Sequence, residues 1–270
     1  MRAPTFRQFS TGQIKPPTSG FGLGSMMMLG ASVAGFAYLG HHVRQMNANK
    51  AAYLAEGQTY MSPLVQKRLA HTFGWFGYGL MSTSAFVYYM RNSTRHVGPI
   101  PLLIGSLGTL YVAHMIDYET ALPAKALAYT VFTGMMGMTI LPLIQVSAAS
   151  AVADAALATG LSMSALSATA YMAPSEQFLN WGGALSIASA GMLFVSLASM
   201  FSPSRGLFNI WLWGGLGLTG AFTLYDTQAI LHRAKTSANF DPLGNSIGIY
   251  LNGLNFFIRF LMIFGGGRKK

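Results

Sequence analysis

The sequence contains no cysteine, and this absence excludes disulfide bonds, thiolate nucleophiles and cysteine-based metal sites. Other chemical signatures are missing too: there is no nucleophile–base spacing, no Walker loop, no glycine-rich dinucleotide fingerprint and no histidine pair at metal-ligand spacing. The glycine-rich run at 214–217 lies inside an apolar stretch, where it suits helix packing and not phosphate binding. We therefore predict that the protein is not an enzyme and requires no organic cofactor.

Charged residues are few, and the 7 acidic residues are outnumbered by 17 lysines and arginines. Only 9% of the 270 residues are charged, against about 25% in soluble domains, while 52% are hydrophobic. This composition predicts an all-α polytopic membrane protein. The net charge of +10 is spread over short loops and both ends of the chain and forms no single patch. We therefore expect membrane lipids such as cardiolipin as partners, and no nucleic acid.

The first sixty residues contain only one acidic side chain, Glu56. Residues 1–20 are basic and rich in hydroxyl groups, which is typical of a mitochondrial transit peptide, although a basic tail flanking the next helix has the same composition. Residues 21–40 are uncharged and long enough to cross a bilayer core of about 30 Å. Within them, Gly30, Ala34 and Gly35 form a small-residue face suited to close helix packing. Residues 41–68 form a polar connecting segment.

Seven further apolar segments follow. Their run lengths predict helices over 69–90, 99–116, 126–146, 152–173, 179–201, 207–228 and 244–264. The pair Ser62-Pro63 is a helix start signal, and Pro142 falls inside a segment, where it predicts a kink. Residues 265–270 form a basic tail. Eight spans would return the C-terminus to the side of the N-terminus, which is the matrix side if the N-terminus directs mitochondrial import.

Two ionisable residues interrupt the last two apolar segments. Residues 206–225 carry no charge before Asp226, and Arg259 lies well inside the final segment. Charges at membrane depth are costly unless they are paired, hydrated or neutralised, so both are candidates for a functional site. Asn252, Asn255 and Arg259 are spaced i, i+3 and i+7, which predicts one polar face turned into the bundle. The alternative is a polar network that only ties helices together.

A second group of polar residues lies near the predicted helix end at 116. Asp117 and Glu119 follow His114 closely in the sequence. They suit either an entry cluster for a cation or a solvated helix end, and the sequence leaves both readings open.

Several motifs in the last hundred residues are distinctive: APSEQFLN at 173–180, LYDTQ at 224–228, and GGGRKK at 265–270. Together they resemble the mitochondrial branch of the Bax inhibitor family, with a looser collinear match over 61–172. The resemblance implies a seven-helix core over 69–264, preceded here by an extra N-terminal transmembrane helix. It also implies a multi-pass location in the inner mitochondrial membrane and a pH-sensitive calcium leak or calcium–proton exchange.

The resemblance further implies a site in which two aspartates on the last two helices share protons and gate a pore. Asp226 matches the first aspartate, but Asn252 stands at the second position. An amide is always neutral, so this pair cannot act as a coupled two-proton switch. Asp226 is then a weak calcium ligand, because calcium affinity depends on ligand charge. The predicted supporting polar network consists of Tyr225, Gln228, Asn255 and Arg259.

Two functions of different classes follow from these observations. The first is a cation channel or exchanger for calcium or protons, centred on Asp226 and Asn252. The second is a structural membrane subunit with weakened transport, which organises a large respiratory or cristae complex. The second predicts protein partners in the inner membrane, bound in part through the face formed by Gly30, Ala34 and Gly35.

Overall fold

The computed structural model of the chain describes residues 62–92, 97–173, 177–202 and 204–266, and these ranges are helical apart from short joints. Helix α1 spans Pro63–Met90, α2 Pro99–Met115, α3 Leu122–Val146 and α4 Ala149–Met172. A 3₁₀ turn at Leu179–Trp181 leads into α5, Gly182–Phe201. Helix α6, Arg205–Asn209, continues through a π turn at Ile210–Gly214 into α7, Gly215–Thr236, and α8 spans Pro242–Gly266.

Every apolar segment predicted between residues 69 and 264 coincides with a helix. Helix α1 begins at Pro63, six residues before its apolar run, because Ser62 caps it by accepting a hydrogen bond from the Val65 amide at 3.3 Å. Helix α7 extends to Thr236, eight residues beyond the predicted end at 228. Pro142 lies inside α3, as predicted. The predictions for residues 1–61, including the first transmembrane segment and its small-residue face, lie outside the described residues.

Five helices in the described part of the chain are long and apolar enough to cross a membrane. They are Leu122–Val146, Ala149–Met172, Leu179–Ser199, Arg205–Thr236 and Pro242–Gly265. Helix α2 is apolar but shorter, and α1 carries Lys67, Arg68 and His71 near its N-terminal end. The described part of the chain is therefore all-helical, and the protein is a multi-pass membrane protein.

Helix α8 lies at the centre of this bundle. It packs against α1, α4 and α7, while α3 bridges α1 and α2, and α5 packs against α7. Half of the apolar stretch of α8 is buried, against 6% of the stretch in α5. The polar side chains of α8 are therefore placed among other helices and not among lipid tails, and the functional candidates of α7 and α8 meet within the bundle.

Two long-range contacts of basic side chains fix one end of the bundle. Arg68 of α1 donates from its guanidinium to the carbonyls of Ala234, Ser237 and Ala238 at 2.9, 2.8 and 3.2 Å. These carbonyls lie at the C-terminus of α7, where helix groups lack intrahelical partners. The guanidinium also lies 5.3 Å from the ring centroid of Phe240. Arg68 therefore caps α7 from the first helix that the structure describes.

The second contact is an ion pair between Lys125 and Asp241. The Lys125 Nζ lies 2.7 Å from Asp241 Oδ2 and donates to the Ile116 carbonyl at 2.7 Å. Lys125 is only 2% exposed, although it stands in the first turns of α3, where a cation opposes the helix dipole. Asp241 also accepts from the Gly244 amide at 2.9 Å and so caps α8. The pair joins the α2–α3 joint to the α7–α8 joint, which lies more than a hundred residues later in the sequence.

Candidate functional site

The predicted contact between Asp226 and Asn252 is present in the seam between α7 and α8. The Nδ2 of Asn252 donates to Asp226 Oδ2 at 2.6 Å. Asn252 is 8% exposed and Asp226 is half-buried. Asp226 lies ten residues before the end of α7 and Asn252 ten residues after the start of α8, about 15 Å in each case. Both residues therefore lie well inside their helices, several turns away from the α7–α8 joint.

Gly248 makes room for this carboxylate on α8. A Cβ atom at Gly248 would lie 3.2 Å from Asp226 Oδ2 and 3.4 Å from its Cγ. These separations are at or inside ordinary van der Waals contact, so the side chain of Asp226 rests directly on the glycine. Gly248 and Asn252 stand one turn apart and together form the wall that faces Asp226.

The polar face of α8 is longer than predicted. Asn245, Gly248, Asn252, Asn255 and Arg259 succeed one another at spacings of three or four residues, which places them on one side of the helix. Arg259 stands 14 residues after Asn245, which corresponds to about 21 Å along the helix. The stripe thus runs along most of a membrane thickness, with Asp226 opposite its middle.

Arg233 closes one end of the stripe. Its Nη1 donates to Asn245 Oδ1 at 2.9 Å, so a side chain of α7 reaches across the seam to α8. Arg233 stands seven residues after Asp226 on α7, hence on the same face and about 10 Å further along. The side chain is exposed. Arg233 lies beyond the end of the helix predicted over 207–228, but the observed α7 continues through it to Thr236.

Arg259 occupies the other end and is deeply buried. It is 5% exposed, its Nη1 donates to Asn255 Oδ1 at 2.9 Å, and its Cζ lies 4.9 Å from the ring centroid of Trp211. A Cβ at Gly215 would collide with the guanidinium. The Nε atom is buried without a hydrogen-bond partner, and no carboxylate of the described residues pairs with this side chain.

Arg259 is therefore neither a lipid anchor nor a partner of Asp226. Its guanidinium turns back towards Asn255, one turn closer to the start of α8, and does not extend to the helix end. Its α7 neighbour, Gly215, precedes Asp226 by 11 residues, which corresponds to about 16 Å. The predicted single network thus separates into two pairs, Asp226–Asn252 and Asn255–Arg259.

Tyr225 and Gln228, predicted as members of the Asp226 network, contact the α4–α5 connection in this structure. Gln228 accepts from the Phe178 amide at 2.6 Å and donates to the Ala170 carbonyl at 3.4 Å. The Tyr225 ring packs on Gly182 at the start of α5. Both side chains therefore hold the α4–α5 connection against α7. The physical reason is angular: on a helix, positions i−1 and i+2 point away from position i.

Asp117 lies in a turn between α2 and α3. The structure does not bring it together with His114 as a cluster that could admit a cation. The Asp117 carboxylate accepts hydrogen bonds from the backbone amide and the hydroxyl of Thr120, both at 2.9 Å. These bonds hold the pKa of Asp117 below its ordinary value. His114 contacts the carbonyl of Leu110 instead of the acids. Among the residues that the structure describes, no three acidic or histidine side chains are grouped as metal ligands would be.

Comparison with known proteins identifies the family. The profile of the family described as "Inhibitor of apoptosis-promoting Bax1" matches residues 65–269. The chain is 33% identical over 177 residues to growth hormone-inducible transmembrane protein of Rattus norvegicus; this covers 61% of the chain and 51% of the rat protein. The chain thus spans about half the length of that relative.

Two other relatives are matched over most of their length. Inner membrane protein YbhL of Escherichia coli K12 is 23% identical over 219 residues, which is 76% of this chain and 93% of the bacterial protein. Bax inhibitor 1 of Arabidopsis thaliana is 27% identical over 209 residues, 75% of this chain and 82% of the plant protein. Because the family profile covers well over half of the sequence, the chain belongs to the Bax inhibitor family.

Proposed function

We propose that this protein forms a pH-sensitive cation pathway in the inner mitochondrial membrane, with Asp226 as its titratable group and Asn252 as its partner. The observation that carries the proposal is the carboxylate of Asp226, which lies well inside an apolar helix, accepts a hydrogen bond from one amide and forms no salt bridge with the residues that the structure describes. Carboxylates are rarely kept at such depth unless they handle an ion or a proton. The candidate ions are calcium and the proton.

The location rests on two supports. The acid-free, basic and hydroxyl-rich start of the chain is typical of mitochondrial import. The similarity to growth hormone-inducible transmembrane protein points the same way, since the sequence resembles the mitochondrial branch of the family. Both ends of the chain are then predicted on the matrix side. Digestion of a C-terminal tag by protease added to mitoplasts would contradict this orientation.

The partner amide suits a carboxylate that changes protonation state. Asn252 now donates an N–H to Asp226, and the same side chain carries a carbonyl that can accept from a protonated acid. A single contact can therefore serve both states without moving a helix. Gly248 has no side chain, so at that position α8 leaves the carboxylate uncovered.

The test is cation flux through proteoliposomes that contain the purified full chain. We expect measurable flux with the native protein and none with Asp226→Asn, because no carboxylate then remains in the seam. We expect Asn252→Asp to strengthen both calcium flux and its pH dependence, since two close carboxylates titrate in separate steps. Flux by the native chain equal to that of empty liposomes would end the proposal.

The second candidate is a structural subunit of an inner-membrane assembly, bound to other membrane proteins. It is favoured by the Asn252 contact, which leaves a neutral amide where a second acid would support transport. In this case Asp226→Asn costs about 1 kcal/mol of stability, one hydrogen bond, and leaves assembly intact. Bulky replacements of Gly30, Ala34 and Gly35 should instead release the chain from a complex purified in mild detergent.

A further inference from the structure

We propose that residues 21–40 pack as a transmembrane helix into a groove on the outer side of α1, which makes this N-terminal segment part of the bundle. The groove has a volume of about 470 Å³ and is lined by Tyr78, Met81, Ser82, Ala85, Phe86 and Tyr89. The inference goes beyond the proposed function and does not depend on it. It gives the small-residue face of residues 21–40 a partner within the chain in place of an external one.

The outer side of α1 combines large and small residues. Tyr78, Met81 and Tyr89 are 36%, 66% and 83% exposed. Ala85 lies between them in the sequence and is exposed as well. One turn before Tyr78, a Cβ atom at Gly74 would meet no atom of the described chain within 4 Å. Small residues on a membrane helix allow a second helix to approach closely, so the outer side of α1 has the shape of a helix-packing surface.

The helices that the structure describes pack against the other sides of α1. Helix α1 contacts α3, α7 and α8, and its buried residues recur every three or four positions along one face, as Leu69, Thr72 and Val87 illustrate. The groove lies on the remaining side, and all six side chains that line it belong to α1 itself. The occupant of the groove is therefore another part of this chain, a second copy of it, or lipid.

The chain supplies a segment of suitable length next to α1. Residues 21–40 are uncharged and long enough to cross a bilayer core, and 22 residues, 41–62, connect them to the start of α1 at Pro63. Consecutive elements of a chain are usually neighbours in space. Two successive spans run in opposite directions, so the end of this segment and the start of α1 lie on the same side of the membrane. These features favour the segment over a second copy or lipid.

The apolar runs also set the level at which the two helices meet. Both runs must be centred in the same bilayer core, and the midpoints of 21–40 and 69–90 fall near Gly30 and Leu80. In an antiparallel pair, Gly30 is then level with Tyr78 and Met81, inside the groove. The large side chains of α1 thus face the small residues of the segment, the combination that allows close helix contact.

Disulfide cross-linking tests this arrangement, and the absence of native cysteine leaves no background. Gly30→Cys is combined in turn with Tyr78→Cys, Met81→Cys and Ala85→Cys in the full chain, reconstituted in liposomes. A site for a specific protease, inserted between the segment and α1, separates the two parts after oxidation, and an internal disulfide then holds the fragments together until reduction. The control pairs Gly30→Cys with Leu161→Cys, on the exposed side of α4.

We expect the highest yield of linked fragments with Met81→Cys, at least about fivefold above the control, because a disulfide forms only where the Cα atoms come within about 7 Å. A disulfide-linked dimer that appears before protease cleavage overturns the inference, since a second copy then occupies the groove. Yields at the control level for all three pairs also overturn it and leave the groove to lipid. If the Gly30→Cys variants do not fold, Ala34→Cys with Tyr78→Cys replaces them, and a yield at the control level refutes the packing equally. None of these outcomes depends on ion flux.

Discussion

We predict that removing Asp241 from its ion pair with Lys125 destabilises the protein more than removing Lys125 does. Lys125 is 2% exposed and Asp241 33% exposed, so each loses a different amount of hydration when its partner is removed. The change Asp241→Asn keeps a good helix cap for α8 but leaves the ammonium group buried without a counter-charge. Removing one partner of a buried pair costs about 3–5 kcal/mol, and this variant belongs in that range.

The reverse change should cost less. Lys125→Met preserves the length of the side chain, and Asp241 stays partly hydrated and still accepts from the Gly244 amide. The main loss is the hydrogen bond to the Ile116 carbonyl, about 1–2 kcal/mol. The double variant should lose less free energy of unfolding than the sum of the two single variants, because it leaves neither an unpaired ammonium group nor an unpaired carboxylate.

Reversible unfolding in mixed micelles, followed by tryptophan fluorescence, measures all three free energies of unfolding. Lys235→Met is the control and should stay within about 0.5 kcal/mol of the native protein, since this lysine is exposed. Equal costs for the two single variants, or a larger cost for Lys125→Met than for Asp241→Asn, would refute the reasoning from burial.

Three further variants test contacts described above. Gly215→Ala should destabilise the bundle by about 1–3 kcal/mol by displacing a buried guanidinium, whereas Gly217→Ala, which meets open space, should be neutral; thermal unfolding in nanodiscs compares them. Arg68→Met should cost about 2 kcal/mol in the same assay, because the carbonyls at the end of α7 lose their cap. For Asp117, whose folded pKa is lowered, the stabilising contribution is complete above about pH 3.9 and disappears as the pH falls through the folded value; Asp117→Asn should therefore flatten the acid limb of the stability curve.

The helices could be predicted from the sequence because length and hydropathy of an apolar run determine whether it can span a bilayer. The contact of Asp226 with Asn252 was predictable for a related reason, since each is a polar residue inside an apolar helix and the family resemblance placed them together. Helix ends were harder. The helix predicted over 207–228 ends before Arg233 because charged residues interrupt an apolar run, although they do not end a helix.

The contacts that sequence reasoning missed join residues far apart in the chain. Lys125 and Asp241 are separated by more than a hundred residues, and the residues around each of them give no indication that the two form a pair. Their burial follows only from how α3 and α8 are packed. For Gln228, closeness in sequence was misleading. It lies two positions after Asp226, and positions i and i+2 of a helix point in different directions, so Gln228 faces another part of the bundle.

The central position of α8 has a consequence for the order of events during synthesis. Thr83 and Tyr250, whose hydroxyls meet at 2.7 Å, are 167 residues apart, and Arg68 reaches a carbonyl 166 residues further along. At about 5–20 residues per second, translation takes roughly 8–30 s to cover that distance. Throughout this interval the early helices lack α8, and the hydroxyl of Thr83 lacks its hydrogen-bond partner Tyr250. The native bundle forms only after the last helix has been made, and a chain truncated before Pro242 retains its earlier helices without the element around which they assemble.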